Sequence, residues 1–142
     1  MIVYFDTSAI VPIVIEEPSS DAASRLWDEA DRVVSSRLVY AEGRAALALA
    51  HRLSRINRRA LRAAVEGFES LHEQLDLIEV TEELIREAGS LAEHWGLRGF
   101  DAVHLASARL IDDSELVLAA GDDSLLAAAG MIGLATADLR SR

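Results

Sequence analysis

The sequence of 142 residues contains no cysteine, which excludes disulfides and cysteine-ligated zinc, and its length predicts one domain. All of its basic residues are arginine, so it has neither the lysine of a phosphate-binding loop nor that of a Schiff-base enzyme. The formal net charge of −10 argues against a nucleic-acid binder, unless carboxylates are gathered around metal ions and the basic residues lie elsewhere.

The first elements are a strand and a short helix. Residues 1–5 form an apolar, β-branched and aromatic run, which predicts a buried strand. Thr7 and Ser8 are expected to cap the helix, which ends near residues 16–18. Its apolar stretch, residues 9–15, is too short to span a bilayer, and no signal peptide is recognisable. We therefore expect a cytoplasmic protein that does not enter a membrane.

Helices and strands then alternate along the rest of the chain. Helices are predicted over residues 20–32, 37–54, 57–74, 82–95, 100–110 and 124–129. Strands are predicted over residues 32–36, 75–80, 115–120 and 132–135. Strands separated by helices predict an α/β fold with a parallel sheet and helices on both faces. In such sheets, ligands bind at the carboxyl ends of the strands.

Acidic residues from four separate segments fall at this edge of the predicted sheet. Asp6 directly follows the first strand, and Glu42 lies early in the helix after the second. Asp101 opens the helix over residues 100–110, and Asp122 and Asp123 directly follow the fourth strand. Carboxylates crowded together repel one another, and a divalent cation removes that penalty. An all-oxygen site suits Mg²⁺ or Mn²⁺, which can activate water against a phosphodiester.

Each acid also has a purely structural interpretation. Asp6 and Asp101 are both good helix N-caps. Glu42 can be a solvated helix residue, although its neighbours are apolar. Asp122 and Asp123 can be turn residues after Gly121. Periodicity alone leaves a four-acid metal site as the minority interpretation.

Four sequence segments carry a resemblance to a known family. They are Ile-Val-Tyr-Phe-Asp-Thr-Ser-Ala at residues 2–9, Tyr-Ala-Glu-Gly-Arg at 40–44, Phe-Asp-Ala-Val-His-Leu-Ala at 100–106 and Ala-Gly-Asp-Asp-Ser-Leu-Leu at 120–126. In order and spacing they resemble the PIN-domain ribonuclease toxins of bacterial toxin–antitoxin pairs, the VapC type. The segment at residues 100–106 is the most specific of the four, and the resemblance covers essentially the whole chain.

This resemblance implies a fold, a reaction and a set of site residues. The fold would be a PIN-like three-layer α/β/α domain over residues 1–142, with a central parallel sheet of four to five strands. The reaction would be endonucleolytic cleavage of RNA with Mg²⁺ or Mn²⁺. Asp6 and Asp101 would hold the principal metal ion, and Glu42 would support it or orient the attacking water. Asp122 fits best as the fourth acid, which would help to hold a second ion, and Asp123 fits nearly as well.

Two departures and two further residues accompany these assignments. The family's last acidic segment often has Thr or Ser where this sequence has Ala120. The Thr-Ala-Asp sequence at residues 136–138 has that pattern, but it follows the predicted last strand and is set aside. Thr7 either caps the first helix or hydrogen-bonds to a metal ligand, a metal-bound water or a phosphate. His104 shares a helix face with Asp101, and a packed core histidine is favoured over a metal or acid–base role.

The remaining expectations concern partners. The dense basic stretch is His51, Arg52, Arg55, Arg58, Arg59 and Arg62. It is interpreted as a solvated face, as a contact for RNA phosphates or as part of an antitoxin-binding surface. The resemblance implies a cognate antitoxin, seated along the apolar helix at residues 38–53, and a homodimer. The alternative functions are a PIN-like nuclease acting on DNA and a catalytically silent PIN-like binding module.

Overall fold

The computed structural model describes residues 1–140 and contains a parallel sheet of five strands with seven helices. The strands are β1 (Ile2–Phe5), β2 (Arg32–Ser36), β3 (Asp76–Ile78), β4 (Leu116–Ala120) and β5 (Ala135–Asp138). The helices are α1 (Thr7–Val14), α2 (Ser20–Glu29), α3 (Val39–Arg52), α4 (Arg58–Gln74), α5 (Glu82–Trp95), α6 (Gly99–Arg109) and α7 (Asp123–Met131). The strand order is β3-β2-β1-β4-β5, and every neighbouring pair is parallel.

The sheet is covered on both faces, because side chains alternate along each strand. In β1, Val3 and Phe5 join a core cluster with residues of α1 to α4. Tyr4 points to the opposite face, where its cluster contains residues of α5, α6 and α7. Helices on both faces of a parallel sheet confirm the predicted three-layer α/β/α fold.

The strand order reverses direction at the centre of the sheet. The chain proceeds outward from β1 through β2 to β3 and then returns to place β4 on the other side of β1. Crossovers leave in opposite directions at such a point, which opens a crevice at the carboxyl ends of the two strands. Asp6 follows β1 at this edge, and Asp122 follows β4.

Helix α3 lies close to α4 because Gly43 has no side chain. A Cβ atom at residue 43 would come within 2.2 Å of Cζ of Phe68, whose ring is fully buried. Phe68 therefore fills the space beside residue 43. This contact fixes the start of α3, where Glu42 lies.

The prediction for the last strand was wrong. Residues 132–135 were expected to form it, whereas the strand is Ala135–Asp138. Helix α7 extends to Met131, and Gly133 adopts a left-handed φ of 92° that turns the chain before it can pair. Consequently Thr136 and Asp138 lie inside the strand next to β4 and not after it.

Three smaller differences concern helix starts and strand length. The side chain of Asp6, and not that of Thr7 or Ser8, caps α1. Helix α6 begins at Gly99 with Arg98 at its N-cap, so Asp101 lies in the first turn and is not a cap. Strand β3 is three residues long, shorter than the predicted 75–80. Over residues 1–140, no helix is both long and apolar enough to cross a membrane.

Candidate active site

Asp6 is held at the junction of β1 and β4. Its Oδ2 accepts hydrogen bonds from the backbone N–H and the hydroxyl of Ser8, the latter at 2.6 Å. The same Ser8 hydroxyl accepts the N–H of Gly121 at 2.8 Å. One serine thereby connects the loop after β1 to the loop after β4. Asp6 is buried, so its carboxylate has a fixed position at the crevice.

Glu42 is held by two hydrogen bonds to one oxygen. Oε1 accepts the hydroxyl of Thr7 at 2.9 Å and lies 2.6 Å from Nε2 of His104. Because a carboxylate only accepts, Nε2 carries the proton in this contact. His104 Nε2 also lies 3.4 Å from Asp6 Oδ1. The Thr7 contact agrees with one of the two interpretations of that residue, a hydrogen bond to a candidate metal ligand.

His104 is fully buried, as expected of a core histidine, but it also belongs to the polar network. Its Nδ1 lies 2.8 Å from the hydroxyl of Tyr4, on the central strand of the sheet. With Nε2 protonated, Nδ1 accepts the tyrosine O–H when the ring is neutral and donates to the tyrosine oxygen when the ring is charged. The sheet therefore fixes the histidine, and the histidine fixes Glu42. The burial of His104 agrees with the favoured core interpretation, whereas its contacts with Tyr4 and Glu42 were not predicted from the sequence.

Asp101 and Asp122 are brought together by an arginine. Nε of Arg98 donates to Asp101 Oδ2 at 2.9 Å, and its Nη2 lies 3.4 Å from Asp122 Oδ2. Asp101 is buried in the first turn of α6, and Asp122 caps α7 through Oδ1. The two acids come from different helices on the same face of the sheet.

Asp122 and Asp123 have different surroundings. Asp122 directs one oxygen at Arg98 beside Asp101. The side chain of Asp123 is 81% exposed and pairs with Arg140, which also binds Asp138 at the end of β5. The structure thus brings Asp122 towards the other three acids and leaves Asp123 at the rim.

The charged and polar groups of the site shift one another's pKa values. Burial raises the pKa of Asp101, and the nearby charges of Asp122 and Asp6 raise it further, while Arg98 opposes them. Burial alone would also raise the pKa of Glu42, but the hydrogen bonds from His104 and Thr7 bring it below its usual value. Burial alone would lower the pKa of His104, yet Glu42 and Asp6 raise it.

The residues fit a divalent cation by their chemistry. All four acids offer hard oxygen donors, and two cationic or donor groups, Arg98 and His104, each contact two of them. Among residues 1–140, no three acidic or histidine side chains are close enough to ligate one ion as they stand.

Sequence reasoning missed Arg98 and Arg140. Arg98 precedes Asp101 by three residues at the start of a helix, so an i,i+3 ion pair was the available signal. No local signal links Arg98 to Asp122 or Arg140 to Asp123, because those contacts join separate elements. Asp138, set aside from the sequence, lies at the same edge of the sheet and binds Arg140.

The basic stretch lies around the turn between α3 and α4. Arg52, Arg58, Arg59 and Arg62 are exposed, and the last three line a shallow cleft. Arg55 lies 3.4 Å from Glu17, in the segment between α1 and α2. Beside these residues, Leu49 and Leu53 expose 46% and 60% of their surface. The outer face of this hairpin is therefore both basic and apolar.

The structure has a five-stranded parallel sheet between two helical layers, and acidic residues converge where β1 and β4 end. This combination is typical of PIN domains. The PIN domain model matches residues 3–130, and the chain belongs to this family. It is 44% identical to ribonuclease VapC45 of Mycobacterium tuberculosis over 124 residues, which cover 87% of this chain and 86% of the relative.

Solved structures share the fold at lower identity. VapC20 of Mycobacterium tuberculosis, described as a sarcin–ricin loop cleaving toxin, is 23% identical with a TM-score of 0.67, and the match covers 93% of this chain and 95% of VapC20. A toxin–antitoxin complex from Klebsiella pneumoniae contains a chain that is 18% identical, with a TM-score of 0.63 and 99% coverage of both chains.

Proposed function

We propose that the protein is a metal-dependent endoribonuclease and the toxin of a type II toxin–antitoxin pair. The observation that carries the proposal is the convergence of Asp6, Glu42, Asp101 and Asp122 from four segments at one edge of the sheet. The ribonuclease name of the relative at 44% identity supports RNA as the substrate. The same carboxylate chemistry would cut DNA, so DNA is the alternative substrate.

Each acid has a distinct role in this proposal. Asp6 and Asp101 hold the principal Mg²⁺ or Mn²⁺ ion, and Asp122 helps to hold a second. When bound, the metal lowers the pKa of a ligated water and neutralises charge that develops on the phosphodiester. Glu42 orients the attacking water. Because Thr7 and His104 both bind its Oε1, the proposal assigns the water to Oε2.

The proposed protein partner is an antitoxin peptide on the outer face of the α3–α4 hairpin. That face presents Leu49 and Leu53 next to the exposed arginines of the basic stretch. A segment with both apolar and acidic side chains would bury the leucines and pair with the arginines. The fold shared with a chain of the Klebsiella pneumoniae complex supports this kind of partner.

The proposal includes a homodimer, for which a second apolar surface is available. A cleft of about 420 Å³ lies between α5 and α6, and Ile85 and Phe100 at its edge expose 46% and 63% of their surface. Exposed apolar area of this kind is typical of contact surfaces. Light scattering of the wild type and Phe100→Ser tests this assignment. A dimer that persists unchanged in the variant would place the interface elsewhere.

A cleavage assay tests the proposed activity. Total RNA is incubated with antitoxin-free protein and Mg²⁺ or Mn²⁺, and the wild type is compared with Asp101→Asn. The matched control is Asp28→Asn, the same substitution at an exposed residue of α2. We expect Asp101→Asn to lose at least the roughly 10- to 100-fold that outer-shell metal partners typically contribute. Asp28→Asn should cut at the wild-type rate, and a metal chelator should stop cleavage by the wild type and by Asp28→Asn.

The other outcomes discriminate between the alternatives. Equal cleavage by the wild type and Asp101→Asn would show that the activity does not come from these acids. Metal-dependent cleavage of single-stranded DNA but not RNA would identify a DNA nuclease. A folded, antitoxin-free wild type that cuts neither polymer would identify a silent binding module.

A further inference from the structure

Arg98 binds two of the proposed metal ligands at the same time. Its Nε–H hydrogen bond to Asp101 and its contact with Asp122 join acids of α6 and α7. Divalent cations at the proposed site would use the same two carboxylates, the principal ion Asp101 and the second ion Asp122. The arginine and the bound metal therefore require the same carboxylates.

We propose that Arg98 is an internal counter-ion that competes with the divalent cation for Asp101 and Asp122 and is displaced when the cation binds. This inference rests on the proposed function, because it presumes that the acids bind a metal. It adds that the chain itself sets its affinity for the metal below the affinity that the carboxylates alone would give.

Repulsion between like charges opposes the simultaneous binding of Arg98 and the cation to these carboxylates. A guanidinium at hydrogen-bond distance from both carboxylates would lie within a few ångströms of a cation that either of them ligates, and like charges at that separation repel strongly. Linkage then requires that the arginine weaken metal binding by the same factor by which the metal weakens the arginine contacts.

The arginine can leave without disturbing the core. Its neighbour Leu97 is buried and anchors the backbone at the start of α6, whereas the Arg98 side chain is 79% exposed. Ion pairs with a solvent-exposed partner are weak and easily exchanged. Asp101 itself stays buried, so the carboxylate remains in place when the guanidinium moves. Arg98 also opposes the rise that burial causes in the pKa of Asp101.

The competing interpretation is that Arg98 only braces α6 against α7. A brace would contribute to the stability of the fold and would remain in place when metal binds. The two interpretations differ in what Arg98 does during a metal titration, so the test monitors the arginine directly.

The experiment is a Mg²⁺ titration followed by nuclear magnetic resonance of the arginine Nε–H groups. Arg32 provides the matched control, since its Nε also donates to a carboxylate, that of Asp76, at 2.6 Å. That pair lies at the amino ends of β2 and β3, the opposite edge of the sheet. The resonances are assigned by their loss in Arg98→Gln and Arg32→Gln.

We expect the Arg98 Nε–H resonance to shift with the same midpoint as the backbone amides of Asp101 and Asp122, while the Arg32 resonance stays. In a second measurement, electron paramagnetic resonance of free Mn²⁺ gives the metal affinity. Arg98→Gln should bind Mn²⁺ more tightly by roughly 5-fold, at the lower end of usual coupling between two ligands. Arg32→Gln should bind like the wild type.

The contrary outcomes separate this inference from the proposed function. In one contrary outcome, the backbone amides of Asp101 and Asp122 respond to Mg²⁺ but the Arg98 resonance does not shift, and the wild type and Arg98→Gln bind Mn²⁺ equally. That outcome would overturn the inference and leave the proposed metal site unaffected. No response of Asp101 and Asp122 to either metal would overturn both. Tighter binding in Arg32→Gln as well as Arg98→Gln would show a general effect of net charge and would also overturn the inference.

Discussion

At the scale of single residues, the two neighbouring acids after β4 have separate partners. Asp122 contacts Arg98 beside Asp101, and Asp123 contacts Arg140 at the rim. Chain order alone does not separate them, because each is followed by a helix pattern that fits. The direction of the two side chains, which depends on how α7 begins, distinguishes them.

The two residues provide a matched pair of substitutions. Asp122→Asn should lower the rate of RNA cleavage roughly 10-fold or more, since a metal partner is lost. Asparagine is as good an N-cap as aspartate, so α7 should remain stable. Asp123→Asn should stay within about 2-fold of the wild type, as expected for an exposed ion pair. Cleavage rates at saturating Mn²⁺ check both values, and the opposite order would assign the fourth acid to Asp123.

His104 connects the sheet to Glu42 from a fully buried position. His104→Ala should lower the free energy of unfolding by roughly 2–4 kcal/mol, because it leaves a cavity and removes one hydrogen-bond partner of the buried Tyr4 hydroxyl. Urea denaturation in the presence of a chelator measures this without a contribution from metal. The control is His94→Ala, an exposed histidine on α5, which should change stability by no more than about 0.5 kcal/mol. Equal effects of the two substitutions would contradict the role given to His104.

At the scale of elements, the position of Glu42 depends on how closely α3 approaches α4. Gly43→Ala would force the Phe68 ring to move and should destabilise the protein by roughly 1–3 kcal/mol, as overpacked cores do. Gly130→Ala is the matched control, since a methyl group at this position in the last turn of α7 would meet no atom within 4 Å. It should change the stability by no more than about 0.5 kcal/mol, as is usual for an exposed position. Thermal unfolding of both variants measures the difference, and a stabilising Gly43→Ala would contradict the packing described.

The last strand, β5, could not be predicted from the sequence. The apolar run at residues 132–135 has the better strand pattern, yet Ile132 is the C-cap of α7 and Gly133 turns the chain. Strand β5 contains two alanines and an aspartate, which are poor strand formers, and it forms because it pairs with β4. The other four strands were predicted near their observed positions, because their sequences are rich in apolar and β-branched residues.

At the scale of the whole molecule, the sequence contained the acids of the site but not the contacts that arrange them. The parallel direction of the strands follows from their alternation with helices, so the common edge of their carboxyl ends was predictable, whereas the strand order came only from the structure. The contact of Glu42 with His104 spans 62 residues, and that of Arg98 with Asp122 spans 24. Such pairings depend on tertiary packing, which no local pattern encodes. The arginines that organise the site therefore emerged only in the structure.

Charge is also distributed unevenly over the molecule. The net charge of −10 includes the acids of the crevice, while exposed arginines cluster around the α3–α4 turn. An RNA chain would be repelled by the crevice acids until a cation neutralises them. We therefore expect metal binding and cleavage to take place at one set of carboxylates.

The most direct test of this claim measures binding and cleavage in the same samples. Mn²⁺ is titrated into antitoxin-free protein with a short RNA substrate, free Mn²⁺ is followed by electron paramagnetic resonance, and product is quantified at each concentration. We expect cleavage to rise with Mn²⁺ occupancy in the wild type, and Asp6→Asn to lose metal binding and cleavage together. Full cleavage by Asp6→Asn, or metal binding that is unchanged in this variant, would contradict this expectation.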